Sequence, residues 1–337
     1  MIVVGAGPIG VELGIVAQRA GLSALLLDRG QVGQTIAGFP ARMRFFSSNE
    51  RISLAGSPLQ TIDQSKCTRE EYLAYLRQLV RTFELPVRAY ESVESIKKQG
   101  RGFAVLTDRA GNRAVHQAGK VVLATGGTAY PRKLGIPGEE LPHVHHRFTE
   151  AHDYFQQRLL VIGGKNSAVE AALRCHQAFA QVSLSYRQPA LNEQSIKYWL
   201  MPEIRGLIKT GEIQAYLGTI PVAIEPEGVR LRQLDSDQEI FVPTDHVLIL
   251  IGFLADMHLF EQAGVRLQGE SRIPEYDPRT MQTNVPGLYV AGTAVAGTQT
   301  SYKIFLENCH IHCDRIVAHL TGKSVPVSPQ SIELPET

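Results

Sequence analysis

The sequence is short of the features that would place it in several protein classes. Cysteine occurs only four times in 337 residues, at Cys67, Cys175, Cys309 and Cys313, and shows no disulfide framework. There is no excess charge of one sign. The 34 Lys and Arg against 33 Asp and Glu leave +1, which is no electrostatic footprint for nucleic acid. No apolar run nears the roughly 18 residues of a membrane-spanning helix. The longest, residues 247–254, is strand-sized and interrupted by Gly252. The chain begins inside what reads as a strand, so no signal peptide is expected, and the expected compartment is the cytoplasm. What remains is an ordinary globular composition, 44% hydrophobic and 20% charged, on a chain long enough for two domains.

The most informative stretch is the first. Residues 2–4 form a short β-branched strand. Gly5, Gly7 and Gly10 follow at the spacing G-x-G-x-x-G, with Pro8 between them. The first glycine permits a tight turn, the second leaves room for a pyrophosphate, and the third lets the next helix pack on the strand. That helix carries Val11, Leu13, Ile15 and Val16 and stops at Gly21. A second strand, residues 24–27, delivers Asp28, whose carboxylate can accept hydrogen bonds from ribose hydroxyls. Strand, turn, helix, strand and acid in that order are far more specific than the glycines alone. Gly5, Gly7, Pro8, Gly10 and Asp28 therefore read as a dinucleotide site.

Residues 29–58 read mostly as loop, broken by Gly33, Gly38, Pro40, Gly56 and Pro58. Loops at the carboxyl ends of a parallel sheet line the ligand crevice, which places Phe45, Phe46, Ser47 and Ser48 near the cofactor. A phenylalanine pair anchoring the loop to the core fits equally well. Thr68 is the expected N-cap of a helix with Glu70 and Glu71 in its first turn and Tyr72, Leu73, Leu76 and Leu79 on its apolar side. Strands are expected over residues 86–91, 93–97 and 103–107. Residues 120–124 form a buried strand ending in Thr125, Gly126 and Gly127. The spaced prolines beyond it mark the chain leaving a first nucleotide domain, with Thr125 and Gly126 expected at that domain's cofactor.

Residues 158–187 repeat the opening. An apolar strand, residues 159–162, meets the turn GGKNSA, made of Gly163, Gly164, Lys165, Asn166, Ser167 and Ala168. A helix and a second strand, residues 182–185, complete the βαβ unit. Lys165 stands at the middle glycine position, where it either crowds a pyrophosphate or donates to it. The second strand ends without an acid. An acid would repel a ribose 2′-phosphate, whereas Arg187 pairs with one, so this unit is expected to take NADPH. Two nucleotide units on one chain form the skeleton of a reductase that holds FAD in the first site and borrows NADPH in the second.

The segment SIKYWLMPEIRG, residues 195–206, holds the only tryptophan, Trp199, beside Lys197; packing is its expected role. Strands over residues 213–217, 222–225 and 228–234 read as a meander. A buried strand in residues 245–252 should return the chain to the first domain. In NVPGLYVAGTAVAG, residues 284–297, a strand meets Gly292 and Thr293. A last helix is expected over residues 300–321, its N-terminal N–H groups, starting at Thr300, aimed at the reduced flavin. The expected fold is α/β: two Rossmann-like dinucleotide-binding domains, the second inserted in the first. Residues 1–145 and 251–325 would hold FAD, residues 152–250 NADPH, and residues 326–337 would be a tail.

The whole chain resembles the thioredoxin-reductase-like pyridine-nucleotide flavoproteins and is most similar to the bacillithiol disulfide reductase family. GAGPIG, FFSSNERISLAG, HRFTEAHDYF, VIGGKNSAVEAAL, SIKYWLMP, and IFLEN followed by His312 carry the resemblance. It implies tightly bound FAD, NADPH as reductant, a small-molecule disulfide as substrate and a homo-oligomer. It makes Lys165 a feature of the group and His312 a candidate for catalysis. Like that family, the chain lacks the C-x-x-C of thioredoxin reductase. It departs at two points. Members with reductase activity have a cysteine directly after the proline of the first turn. Here that residue is Ile9, which cannot attack a disulfide. Thioredoxin reductases have Gly-Asp in the last motif, the acid on the flavin ribityl chain. Here the pair is Gly292-Thr293, and Thr293 can still form a hydrogen bond.

Other residues do not obviously replace the missing thiol. Cys309 and Cys313 are four apart on one face of the last expected helix, where parallel Cβ vectors suit a disulfide poorly. CHIHC sits within about one helical turn with no second ligand pair, and the linker residues His143, His145 and His146 read as a solvated loop, so no metal is expected. Three functions remain. The chain reduces a low-molecular-weight disulfide; or it passes electrons to an acceptor protein such as ferredoxin, to a quinone or to oxygen, which Ile9 favours; or it is a flavin redox sensor or scaffold without turnover. A flavin monooxygenase is weaker, since no hydroxylating motif stands between the glycine turns.

Overall fold

The computed structural model describes residues 1–301 and 303–323, so the tail expected over residues 326–337 lies outside the described residues. The chain divides into two compact units: Met1–Tyr130 with the chain from Phe253 on, and Pro131–Gly252.

In the first unit five parallel strands lie in the order Leu288–Val290, Val121–Leu123, Ile2–Val4, Leu25–Asp28 and Val87–Ala89. The first three of these are buried along their whole length. Covered on both faces, such strands need continuous apolar side chains rather than alternation. Helix Pro8–Arg19 starts on a proline, which the first turn tolerates because its N–H would have no partner there, and it buries Ile9, Val11, Leu13 and Ile15. Helix Arg69–Thr82 starts at the expected Thr68 with a full capping box: Glu71 N–H donates to the Thr68 hydroxyl at 3.3 Å and Thr68 N–H to the Glu71 carboxylate at 2.7 Å. A cap of this kind contributes about 1 kcal/mol. Strands Ser92–Gln99, Gly102–Arg109 and Asn112–Ala118 form a small antiparallel sheet.

The second unit repeats the plan. Its parallel sheet runs Gln214–Leu217, Gln181–Tyr186, Arg158–Ile162, His246–Ile249 and Val144–His145. Its antiparallel sheet is Thr219–Glu225, Gly228–Gln233 and Glu239–Pro243. In both units the antiparallel sheet is inserted after the outer strand and before the strand that returns to the centre.

Three expectations need correcting, and one strand adds to them. Residues 214–217 belong to the parallel sheet, not to the meander, whose third strand is Glu239–Pro243. Strand Asn112–Ala118 was not foreseen, because a mostly exposed edge strand has no apolar alternation to reveal it. The first unit's leading part ends at Tyr130 rather than near residue 145, since Val144 and His145 pair with Val247 and Leu248 of the second unit's own sheet. The last helix is His310–Thr321, not residues 300–321. Upstream of it the Gln299 side chain takes over the bonds a helix would make: its Oε1 accepts from Lys303 and Ile304 N–H, each at 2.9 Å, and its Nε2 donates to the Ile304 carbonyl. Among the described residues no helix is long and apolar enough to cross a membrane.

Candidate functional site

The three glycines of the first turn do different work. Gly5 has φ +113°, and a Cβ there would lie 2.3 Å from the Ala124 carbonyl oxygen. A Cβ on Gly10 would lie 1.9 Å from the Gly5 carbonyl oxygen. A Cβ on Gly7 would meet nothing within 4 Å. Gly5 and Gly10 thus serve strand–helix packing, while Gly7 keeps a space open at the start of helix Pro8–Arg19. Among the described residues no side chain caps that helix, and a helix start of this kind attracts anions. Asp28 has a second task beyond ribose binding: its carboxylate accepts from Ala6 N–H at 2.7 Å and from Gly30 N–H at 2.8 Å, fixing the turn itself. A carboxylate has lone pairs left over for a ribose.

The carboxyl ends of neighbouring strands add to this edge of the sheet. The Thr125 hydroxyl oxygen is buried without a hydrogen-bond partner among the described residues, as a group awaiting a polar ligand atom would be. A Cβ on Gly127 would lie 3.4 Å from the Thr293 hydroxyl, which puts Gly126, Gly127 and Thr293 side by side. A Cβ on Gly292 would lie 3.5 Å from Cβ of Ile9. Gly292 N–H donates to Nδ1 of His312 at 3.2 Å. With Nδ1 accepting, the neutral ring carries its proton on Nε2. Burial, then the charges of Arg315 and His310, push the His312 pKa down to about 4. Ile9, Thr125, Gly292, Thr293 and His312 therefore converge, around an apolar side chain and a neutral imidazole. All four cysteines are buried. Burial lifts Cys313 well above an ordinary thiol, and lifts Cys67 and Cys175 to about 12.

The flanking loop is pinned to the same edge. Phe45 packs tilted against Tyr72 with ring centroids 4.7 Å apart, so it is the loop's anchor in the core. Phe46 is half-buried, and its carbonyl accepts from Lys66 Nζ at 2.6 Å. The Ser47 hydroxyl donates to Glu307 at 2.7 Å. Thr300 is exposed and outside any helix, which removes it from the helix N-terminus where it was expected. One pair was missed. Glu12 and His310 are both buried, and His310 Nδ1 lies 2.7 Å from the Glu12 carboxylate while its Nε2 lies 3.0 Å from the Arg51 carbonyl oxygen. Glu12 also accepts from Ala55 N–H at 2.8 Å. The available signal was a lone acid among the apolar residues of the first two turns of helix Pro8–Arg19.

In the second unit Gly163 has φ +144°, and a Cβ there would lie 2.5 Å from the Leu250 carbonyl oxygen. A Cβ on Gly164 would sit 2.4 Å from the Tyr186 ring. Lys165 is the N-cap residue of helix Asn166–Gln177 and is exposed, as is Ser167. Asn166 turns its side-chain oxygen to the Lys197 N–H, at 2.8 Å. Arg187 follows directly on strand Gln181–Tyr186 and is exposed. Ile162 pairs with Ser185, so the glycine turn and Arg187 leave the sheet at the same edge.

Two glycine turns, each at the carboxyl edge of its own five-stranded parallel sheet, suit a pair of dinucleotides. The model of the pyridine nucleotide-disulphide oxidoreductase family matches residues 2–292. The chain belongs to that family. It is a flavoprotein oxidoreductase that uses FAD and NADPH. This family member is similar to the bacilliredoxin reductase Bdr of Bacillus subtilis, 33% identical over 323 residues, covering 96% of this chain and 97% of that one. It is also similar to the solved structure of bacillithiol disulfide reductase Bdr (YpdA) from Bacillus cereus, with a TM-score of 0.90 and 33% identity over 95% of this chain and 98% of that one. A ferredoxin–NADP reductase of Paraburkholderia phymatum is 26% identical over 321 residues, 92% of this chain and 84% of that one.

Proposed function

We propose that this protein acts in the cytoplasm and uses NADPH to reduce a low-molecular-weight disulfide such as bacillithiol disulfide, with FAD as the electron carrier. The observation that carries the reading is the likeness to bacillithiol disulfide reductase over 95% of the chain. In it, Gly5, Gly7, Pro8, Gly10, Asp28, Phe46, Ser47, Thr125, Gly126, Gly292 and Thr293 hold FAD. Gly163, Gly164, Lys165, Asn166, Ser167 and Arg187 hold NADPH. When bound, the flavin supplies acceptance of two electrons from nicotinamide and their onward transfer. The helix that opens at Pro8 offers N–H groups to a pyrophosphate, and Thr125 and Thr293 offer hydroxyls to a sugar chain. Arg187 pairs with the 2′-phosphate. His312 presents a neutral Nε2–H donor. Ile9 gives an apolar wall in place of a thiol, so the two electrons and two protons that turn one disulfide into two thiols reach the substrate without a protein thiol turning over.

Ile9 also supports a second reading, delivery of electrons to ferredoxin, a quinone or oxygen without thiol chemistry. One anaerobic experiment separates the two. The purified yellow protein is mixed with NADPH, the flavin band is followed, and bacillithiol disulfide is added. Prompt recolouring is the result expected. Bleaching without recolouring would sink the disulfide reading and leave the acceptor reading.

A further inference from the structure

The segment after the second unit's Arg187 is held in a way that packing alone does not explain. Ile196 and Met201 are buried and fasten its two ends to the core. Between them stand Lys197, Tyr198 and Trp199. Tyr198 is 70% exposed and Trp199 36% exposed. Their rings meet edge to face, with centroids 5.0 Å apart and planes at 86°. Lys197 Nζ lies 5.9 Å from the Trp199 ring centroid. Trp199 is therefore not the core residue its sequence setting suggests. Tyr198 leaves most of its ring in water and Trp199 about a third, so the segment forgoes part of the apolar burial that a packed site would give.

The segment is also locked in place. Lys197 N–H donates to the side chain of Asn166, the first residue of helix Asn166–Gln177, at 2.8 Å. That contact fixes Lys197 beside the turn formed by Gly163, Gly164 and Lys165. The start of a helix attracts anions through its free N–H groups, and a lysine held there adds a full charge. Tyr198 and Trp199 follow Lys197 directly in the chain, and exposed aromatic rings next to such a site are suited to a planar base.

We infer that Lys197, Tyr198 and Trp199 form a third wall of the NADPH site: Lys197 is a cation for the dinucleotide's diphosphate, and the Tyr198–Trp199 pair is the face on which one of its aromatic rings lies. The inference rests on the assignment of NADPH to the second glycine turn, and it adds a set of binding residues that neither fingerprint contains. Asn166, besides its own place in the turn, positions this wall through its side chain.

The chain contains one tryptophan, so Trp199 reports on its own surroundings. The FAD-loaded protein is titrated with NADP⁺ while Trp199 emission is followed, and a saturable change is expected. Lys197→Met, which keeps the apolar stem, should weaken NADP⁺ binding about tenfold, and Lys197→Arg should restore it to within about twofold. Flavin bleaching by NADPH in the parent protein is read alongside. A parent that stays yellow with NADPH would overturn the cofactor assignment and this inference with it. Bleaching by NADPH with Trp199 emission unmoved at saturating NADP⁺ would overturn the inference alone. So would a Lys197→Met protein that stays yellow and binds NADP⁺ within about twofold of the parent.

Discussion

The thiol of Cys313 donates to the carbonyl oxygen of Ile9 across 3.6 Å, from the buried side of the first glycine turn. The sulfur is therefore next to the residue that stands in the cysteine position, and yet turned into the core. Burial, then the neighbouring acids Glu12 and Asp314, hold its proton in place, because a thiolate there would lose its solvent and face negative charge. Cys313→Ala should leave NADPH-dependent disulfide turnover within about twofold of the parent, since an inert thiol contributes no nucleophile. Ile9→Cys should add a thiol that alkylating reagents reach and should raise turnover with the disulfide. A yellow Cys313→Ala protein without turnover would show that the buried thiol does take part.

Gly7 and Gly10 should fail in different ways. Gly7 faces empty space, so the side chain of Gly7→Val meets no protein atom near its Cβ and occupies the room kept for the pyrophosphate. The expected product is a folded, colourless protein, seen as a normal far-ultraviolet circular dichroism spectrum without flavin absorbance. Gly10→Ala drives a Cβ into the Gly5 carbonyl, a contact that backbone movement alone can relieve. It should be poorly folded whether or not FAD is added. A yellow Gly7→Val protein would place the flavin elsewhere.

The two βαβ units were legible because each carries its information locally: an apolar strand, glycines where a side chain has no room, and a helix with one apolar side. The same holds for Thr68, whose capping box lies within four consecutive residues. What was not legible depends on partners distant in sequence. Residues 214–217 join the parallel sheet by pairing with Ser183–Tyr186, and nothing in QAYL itself chooses that over a meander. The helix expected to begin at Thr300 is displaced by one side chain, Gln299, which outcompetes the helical bonds of residues 303 and 304. At the site, the glycines and Asp28 could be read from spacing. The roles of Glu12, His310 and Tyr198 could not, since each is set by what the fold brings alongside it.

Arg187 should decide between nicotinamide cofactors. It follows the strand whose Ser185 pairs with Ile162, and no acid stands in the usual place. Arg187→Ala should raise the KM for NADPH about tenfold, the factor that corresponds to about 1.4 kcal/mol, and leave the KM for NADH nearly unchanged. Steady-state kinetics with both nucleotides give the answer. Equal losses for the two would mean that Arg187 does not touch the 2′-phosphate.

His310 and His312, two residues apart on the last helix, should respond to pH in opposite senses. Burial pulls His310 down, but the Glu12 hydrogen bond and charge, with the Arg51 carbonyl, outweigh it and leave its pKa raised. A raised histidine contributes stability that is complete below its unfolded value near 6.5 and is lost as pH rises through the folded value. Glu12→Gln removes one partner of a buried pair, a change that costs about 3–5 kcal/mol, so the Tm gap to the parent should be largest near pH 6 and shrink as the pH is raised. His312 is the reverse case. Burial and its cationic neighbours hold it neutral, with a pKa of about 4. Its contribution is present above about pH 6.5 and is lost as pH falls toward 4, amounting at full protonation to about 3 kcal/mol. His312→Gln should therefore flatten the acid limb of the Tm profile and leave the alkaline limb as it is. A parent profile in which neither variant alters its own limb would mean that these two imidazoles keep the same charge in the folded and unfolded chain.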